Sequence, residues 1–298
     1  MLKPFILPAL PISRFAPTPS GFLHIGNALN FILTWLLVRR RGGRLHLRID
    51  DMDGIRVRPE VVEDIFYSLD WLGLDWDTGP SGPEDFHARF SLMQRMDFYA
   101  RSLSPLLENG LAYVCDCSRK SIASAGFGAV YPGLCRNRGL SWKPGKTTVR
   151  LHVPPQTVLG VGSQHIRVDA DFGDFVLWRK ENLAAYHLAS VLEDEAWAIN
   201  LVVRGADLLS STAAQLFLAR VLGLEYFPQA VFVHHGLIPG EGGKKLSKSK
   251  GDHALCDMRE KGLSCVDVYR LVADFLQLDS RRIASLGDLG HALGEAGF

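Results

Sequence analysis

The chain has 298 residues, 47% hydrophobic and 22% charged, an ordinary globular composition that excludes a largely disordered chain or a coiled coil. Its 33 basic and 32 acidic residues leave a formal charge of +1, which excludes a globally basic nucleic-acid coat though not a local basic patch. At roughly 150 residues per domain, this length predicts about two domains, or one large domain carrying an insertion. In chain order, residues 12–17 read as a short strand, followed by the turn cluster Thr18-Pro-Ser-Gly21. From His24 to Arg41, Ile25, Ala28, Leu29, Ile32, Trp35 and Leu36 recur at helical spacing, and Gly42-Gly43 ends the helix. Arg44 to Ile49 alternates like a strand. Strand, helix, strand is the order of a parallel α/β sheet.

Pro59 opens a helix to about Leu72, with Glu60 and Glu63 in its first turns. A loop over 73–83 leads to a long helical stretch ending near Asn109-Gly110. Residues 112–180 change character, with a cysteine cluster, loops and β-like runs at 147–153 and 172–178, and read as an insertion. The α/β pattern resumes with a strand at 200–204, a helix capped by Ser211-Thr212, and a strand at 230–235. A glycine- and lysine-rich loop, Gly240 to Gly251, precedes a helical tail. There is no internal repeat.

No run reaches the roughly 18 apolar residues that span a bilayer. The first twelve residues hold one Lys, three Pro and no small-residue cleavage site, and they run straight into the first motif. A cytoplasmic protein is expected, without membrane association. The five cysteines agree, since three cluster at metal-like spacing rather than spreading as a disulfide framework.

Three constellations carry chemistry. The first is Arg14-Phe-Ala-Pro-Thr-Pro-Ser-Gly-Phe-Leu-His24-Ile-Gly-Asn27. A helix starting at His24 offers unpaired amides and a partial positive charge to phosphate. Gly26 would allow close approach of a nucleotide, and His24 would donate to a phosphate oxygen. An amphipathic helix with an incidental His is the competing reading. The second is Glu241-Gly-Gly-Lys-Lys245-Leu-Ser247-Lys248-Ser-Lys-Gly, a loop able to stabilise charge in nucleotidyl transfer, or a solvated basic loop. The third is Cys115-Asp-Cys117 with Tyr131-Pro-Gly-Leu-Cys135. Three thiols and a phenol fit a closed, structural, tetrahedral zinc site, one ion per chain; buried free thiols are the alternative. Cys256 and Cys265 read as packing residues.

Taken together, the His-Ile-Gly-X turn and the Lys-X-Ser-Lys-Ser loop resemble class I aminoacyl-tRNA synthetases. Leu47-Arg-Ile-Asp-Asp-Met-Asp53, Gly73-Leu-Asp-Trp-Asp-Thr-Gly-Pro80 and Val203-Arg-Gly-Ala-Asp-Leu-Leu209 narrow the likeness to the glutamyl-tRNA synthetase catalytic domain, over roughly residues 12–250. The Cys-X-Cys … Tyr-Pro-Gly-X-Cys pattern is similar to that of the glutamyl-Q tRNA(Asp) synthetases, short paralogues of that enzyme. Only about 48 residues follow the Lys-Leu-Ser-Lys-Ser loop, so an anticodon-binding domain is not expected.

The resemblance implies a Rossmann-like parallel-sheet core at 1–110 and 186–240, a zinc-binding insertion at 111–185, and a loop and helical tail at 241–298. It implies ATP with Mg²⁺, glutamate, and transfer of glutamate to queuosine in the anticodon of tRNA(Asp), by a chain that nothing requires to be more than a monomer. By the same carry-over His24, Gly26, Asn27, Lys245, Ser247 and Lys248 hold ATP, with His24, Lys245 and Lys248 catalytic. Arg14, Phe15, Ala16, Pro17, Thr18, Asp50, Tyr186 and Arg204 hold glutamate, and Cys115, Cys117, Tyr131 and Cys135 hold zinc. Asp50 stands where the family usually has Glu, and Asn27 where the motif's second His is usual. Two further readings stay open: a shortened enzyme that charges an acceptor end or uses another amino acid, and a non-catalytic binder of tRNA or a small ligand. Arg136, Arg138, Lys143, Lys146 and Lys244 to Lys250 would meet RNA phosphates or form solvated loops.

Overall fold

The computed structural model describes residues 6–52, 57–124, 130–238 and 254–297. From the N-terminus come β1 (Ile12–Phe15), α1 (Ile25–Arg39), β2 (Arg44–Leu47) and α2 (Pro59–Trp71). The single turn α3 (Pro83–Asp85) leads through a π-type turn, Phe86–Phe90, and a 3-10 turn, Leu92–Arg95, to α4 (Met96–Arg101) and α5 (Leu103–Glu108). Next are β3 (Ala112–Cys115), α6 (Arg119–Ser124), β4 (Thr148–Leu151), β5 (Val158–Val161), β6 (Gln164–Arg167), α7 (Val168–Asp171) and β7 (Val176–Trp178). Then follow α8 (Tyr186–Ala196), β8 (Leu201–Gly205), α9 (Leu209–Val221) and β9 (Val231–His235). The last helices are α10 (Leu255–Glu260), α11 (Cys265–Phe275) and α12 (Leu286–Glu295).

The chain packs as two compact units, one of Met1–Leu92, Ile199–Asp207 and Val231–Phe298, the other of Met93–Ala198 and Leu208–Ala230. In the first, β1 runs parallel to β2, from Ile12 opposite Arg44 to Phe15 opposite Leu47. β8 runs parallel to β9, from Leu201 opposite Val231 to Gly205 opposite His235. The Asn200 amide donates to the Ile12 carbonyl at 3.0 Å, and the Ile12 amide donates to Asn200 Oδ1 at 2.7 Å, so the start of β8 is tied to the start of β1. A parallel bridge between His46 and Thr78 extends the outer edge beyond β2.

Helix α1 is buried on most of its circumference because its sequence is apolar almost throughout, and its residues share one core with Phe15, Leu45, Leu47, Val203 and Val233. The Phe15 ring is fully buried, 5.3 Å from the Phe31 ring. Burial of such a side chain is worth about 1.5–3 kcal/mol. The return from α1 into β2 passes through Gly43, where a Cβ would lie 2.2 Å from the Pro11 carbonyl oxygen. Only glycine lets the two segments meet so closely.

In the second unit β3, β4 and β7 form an antiparallel sheet in that order, with a register shift between Val149 and Arg150. β5 and β6 form a separate hairpin, Val161 opposite Gln164, turned by Gly162 at φ +57° and Ser163. The long helical stretch expected up to Asn109-Gly110 is broken where Ser91 turns extended, at φ −60°, ψ 127°. Helix α9 starts before the expected Ser211-Thr212 cap: its N-cap is Leu208, and Thr212 Oγ1 donates back to the Leu208 carbonyl at 2.9 Å. The hydroxyl that looked like a cap therefore bonds inside the helix. Among the described residues, no helix is long and apolar enough to cross a membrane.

Candidate active site and metal centre

Strand β1 ends in a Pro/Gly turn whose last residue, His24, caps α1 in extended backbone at φ −122°, ψ 172°. His24 Nδ1 accepts the Gly26 amide at 3.0 Å, and Asn27 Oδ1 accepts the His24 amide at 3.0 Å. This is a reciprocal capping box built from His and Asn rather than Ser and Glu. An accepting Nδ1 places the ring hydrogen of the neutral imidazole on Nε2, a donor suited to a phosphate oxygen. A Cβ on Gly26 would lie 2.9 Å from His24 Cε1 and 3.0 Å from Nδ1, so the glycine first of all makes room for this ring. Asn27, expected to meet phosphate, has its carbonyl oxygen engaged in the cap.

The chain returns to the same place after the lysine-rich loop: Ala254 bridges His24, and the Leu255 amide donates to the Leu23 carbonyl at 2.7 Å. Lys245, Ser247 and Lys248 lie outside the described residues.

Arg14 on β1 and Arg204 on β8 are both buried, at 6% and 3% exposure, in the same unit as Asp50. The Arg204 guanidinium lies 5.4 Å from the Phe232 ring centroid, and Arg204 is in register with His234. Burial, then the Arg204 charge and His235, push the His234 pKa down to about 4, so this imidazole is neutral at physiological pH. Asp50 is gripped by Arg48, whose Nε and Nη2 donate to its two carboxylate oxygens at 2.6 and 3.2 Å. Two residues apart on an extended segment, the pair shares one side, so the Arg-Ile-Asp spacing was the signal for this partner. A carboxylate has about four lone-pair sites, and this fork uses two of them.

Neighbouring Asp51 is buried, and burial raises its pKa although Ser91 Oγ and the Leu92 amide donate to it. It fastens residues 91–92 to the end of the β2 segment. Phe15 turns its ring into the core, and its carbonyl accepts the Arg48 amide at 2.9 Å. The Pro17 carbonyl accepts the Asp50 amide at 2.8 Å; Ala16 is half-buried and Thr18 exposed. Tyr186, the first residue of α8, belongs to the second unit and is 40% exposed.

The candidate metal centre lies within the second unit. Cys115 ends β3, Cys117 follows it, and Tyr131 and Cys135 come from the loop before β4. The three sulfurs all lie within 4.8 Å of one another. Cys117 Sγ is 3.5 Å from Cys135 Sγ, and Tyr131 Oη is 3.4 Å from Cys115 Sγ and 3.6 Å from Cys117 Sγ. Tetrahedral zinc with bonds of about 2.3 Å needs sulfurs about 3.8 Å apart, so this donor set fits the ion with small adjustments. Burial raises the Cys115 thiol, but its hydrogen bonds with Tyr131 and Arg150 outweigh it and hold its pKa down to about 7, favouring the thiolate that binds metal. The same burial raises Cys117 and Tyr131.

The expected basic cluster is partly spent on structure. Arg136 donates to both oxygens of the fully buried Asp174 at 2.6 and 2.7 Å, and Arg138 pairs with Asp116 at 2.6 Å.

A family model described as tRNA synthetases class I (E and Q), catalytic domain, matches residues 12–126 and 135–269. The chain belongs to this family. A relative named glutamyl-Q tRNA(Asp) synthetase, from Geobacter sulfurreducens, is 44% identical over 257 residues, which is 82% of this chain and 76% of the relative. One of the same name from Symbiobacterium thermophilum is 40% identical, covering 84% of this chain and 82% of its own. A glutamate–tRNA ligase 2 from Acidithiobacillus ferrooxidans is 36% identical over 84% of this chain and 55% of its own length. The solved glutamate tRNA ligase of Elizabethkingia meningosepticum superposes with a TM-score of 0.75 at 23% identity, over 95% of this chain. The chain spans 64% of the length of that structure. The class I synthetase catalytic fold, an α/β fold with parallel and antiparallel sheets, is therefore the fold of this family member.

Proposed function

We propose that the chain activates glutamate with ATP as glutamyl-adenylate and transfers the glutamyl group to queuosine in the anticodon of tRNA(Asp). The observation that carries this reading is the 40–44% identity, over four-fifths of the chain, to relatives that bear that name.

In the first step the glutamate α-carboxylate attacks the α-phosphate and pyrophosphate leaves. His24 Nε2–H and the α1 N-terminus, with Gly26 and Asn27, hold the triphosphate. Lys245 and Lys248, with Ser247, offset the charge that develops on pyrophosphate. Mg²⁺ bound with ATP would supply further charge neutralisation there. Arg14 and Arg204 receive the glutamate carboxylates as planar forks. Asp50, oriented by Arg48, accepts from the ammonium, and the backbone of residues 15–18 completes the contacts. In the second step a queuosine hydroxyl attacks the acyl carbon of the mixed anhydride; the ester forms, the acyl–phosphate bond breaks, AMP leaves, and the hydroxyl proton passes to solvent. Cys115, Cys117, Tyr131 and Cys135 would hold one structural zinc ion that clamps the insertion at 111–185.

A second reading, charging of an acceptor end, draws on the 36% identity to the glutamate–tRNA ligase relative. One experiment separates the two. Purified protein is incubated with labelled glutamate, ATP, Mg²⁺ and tRNA from queuosine-containing or queuosine-lacking cells. Label confined to queuosine-containing tRNA supports the proposal. Equal label on both means acceptor-end charging, no label with exchange supported by another amino acid means a different substrate, and no label with no ATP–pyrophosphate exchange for any amino acid means a binder.

A further inference from the structure

The four residues of the metal centre are backed by groups that the ligand pattern does not contain. Arg150, on β4 opposite Tyr113, is 8% exposed. Its guanidinium lies 3.9 Å from the centroid of the Tyr131 ring, and its Nη1 donates to the Asp174 carbonyl at 2.7 Å. On another side of the cluster, Arg138 Nη1 donates to Cys135 Sγ at 3.3 Å while pairing with Asp116.

The loop that presents Tyr131 is also held from behind. Gly173 bridges Tyr131, and the Asp174 amide donates to the Tyr131 carbonyl at 3.3 Å. The Asp174 carboxylate accepts from Arg136, from the Tyr113 hydroxyl and, at 2.9 Å, from the Val153 amide. The ring therefore has one fixed backbone and one fixed face.

Charge makes this arrangement more than packing. Three thiolates around a divalent cation leave one net negative charge, and a bound phenolate would leave two. A buried negative cluster is costly unless cations stand beside it. A guanidinium on the ring face and another on a ligand sulfur are so placed.

We propose that Arg150 is a positioning residue of the metal centre: it fixes the Tyr131 ring as fourth ligand and offsets the charge of the thiolate set, with Arg138 as its outer partner. The inference rests on reading these four residues as a metal site, and not on which amino acid or RNA the protein uses.

The test measures zinc affinity of the full-length protein by chelator competition, with absorption spectra of the cobalt-loaded form. Arg150→Met should weaken zinc binding about 10–100-fold, the range for partners that orient metal ligands. Arg150→Lys should recover part of the loss, and Arg138→Met should cost less than Arg150→Met. The cobalt spectrum of Arg150→Met should shift in the same sense as that of Tyr131→Phe. Zinc affinity and cobalt spectrum unchanged in Arg150→Met would overturn the inference, whatever its melting temperature. Should Arg150→Met fail to fold, Arg150→Lys decides: weakened zinc binding supports the inference, and unchanged binding overturns it. Absence of zinc uptake by the unaltered protein would overturn the metal reading and this inference with it.

Discussion

The His24 imidazole and the Gly26 amide are joined at 3.0 Å, so the ring that opens α1 is clamped over a first-turn residue that has no side chain to oppose it. A methyl group at Gly26 would meet the ring at 2.9 Å. Gly26→Ala is expected to lower glutamate-dependent ATP–pyrophosphate exchange at least ~10-fold by displacing His24. Its unfolding free energy should change by no more than about 1 kcal/mol, since Ala is the better helix former. Exchange at the unaltered rate would separate His24 from nucleotide handling.

Asp50 and Arg48 form a buried pair, with 11% and 3% of their side chains exposed. Removing one partner of such a pair costs about 3–5 kcal/mol, so Asp50→Ala should be markedly less stable as well as less active. Asp50→Asn keeps the shape and isolates the charge. Steady-state kinetics of Asp50→Asn should show the glutamate KM raised at least ~10-fold, with a smaller effect on the KM for ATP. A folded variant with unchanged glutamate kinetics would remove Asp50 from the amino-acid site.

Elemental analysis should find about one zinc per chain, held by Cys115, Cys117, Tyr131 and Cys135. Stripping it with a strong chelator should lower the melting temperature, and adding zinc back should restore it. Cys117→Ser should behave like the stripped protein. A metal-free protein with the original melting temperature and activity would exclude the site.

His234 titrates normally at 6.5 and is held at about 4 in the folded chain, chiefly by burial and then by Arg204 and His235. Between those values the unfolded chain binds more protons than the folded one, so stability falls as pH drops from about 6.5 towards 4 and levels off below. Partial burial discounts the full shift, and about 2–3 kcal/mol is expected for this group. His235 is depressed too and adds loss in the same direction. Urea unfolding at pH 7 and pH 5 should show this loss, and His234→Gln should reduce it. Equal pH dependence in both would assign the loss to other groups.

What the sequence made legible was local. The β1–turn–α1–β2 order follows from period and punctuation, and the cysteine spacing singles out three thiols whose sulfurs lie within 4.8 Å of one another. Helix α8 was not anticipated, because its buried Glu193 and Asp194 blur an apolar stripe; Glu193 is satisfied by Arg95 and Tyr99, far away in sequence. The β5–β6 hairpin carries a sequence signal of its own, the Gly162-Ser163 pair between two short β-like runs. Arg48 was readable two residues before Asp50. Arg150 and Asp174 were not, since only the pairing of β3, β4 and β7 brings them behind Tyr131.

That pairing bears on how portable the metal knuckle is. Residues 115–135 hold every donor atom of the proposed zinc site, yet the cation over the Tyr131 ring comes from β4, and the carboxylate that gathers Tyr113, Arg136 and Val153 lies at position 174. A graft of the Cys–Tyr segment alone would carry the ligands without the surroundings that orient them. The smallest transferable piece is the three-stranded sheet from Ala112 to Trp178, and exchange between relatives should succeed only when Arg150 and Asp174 travel with the cysteines.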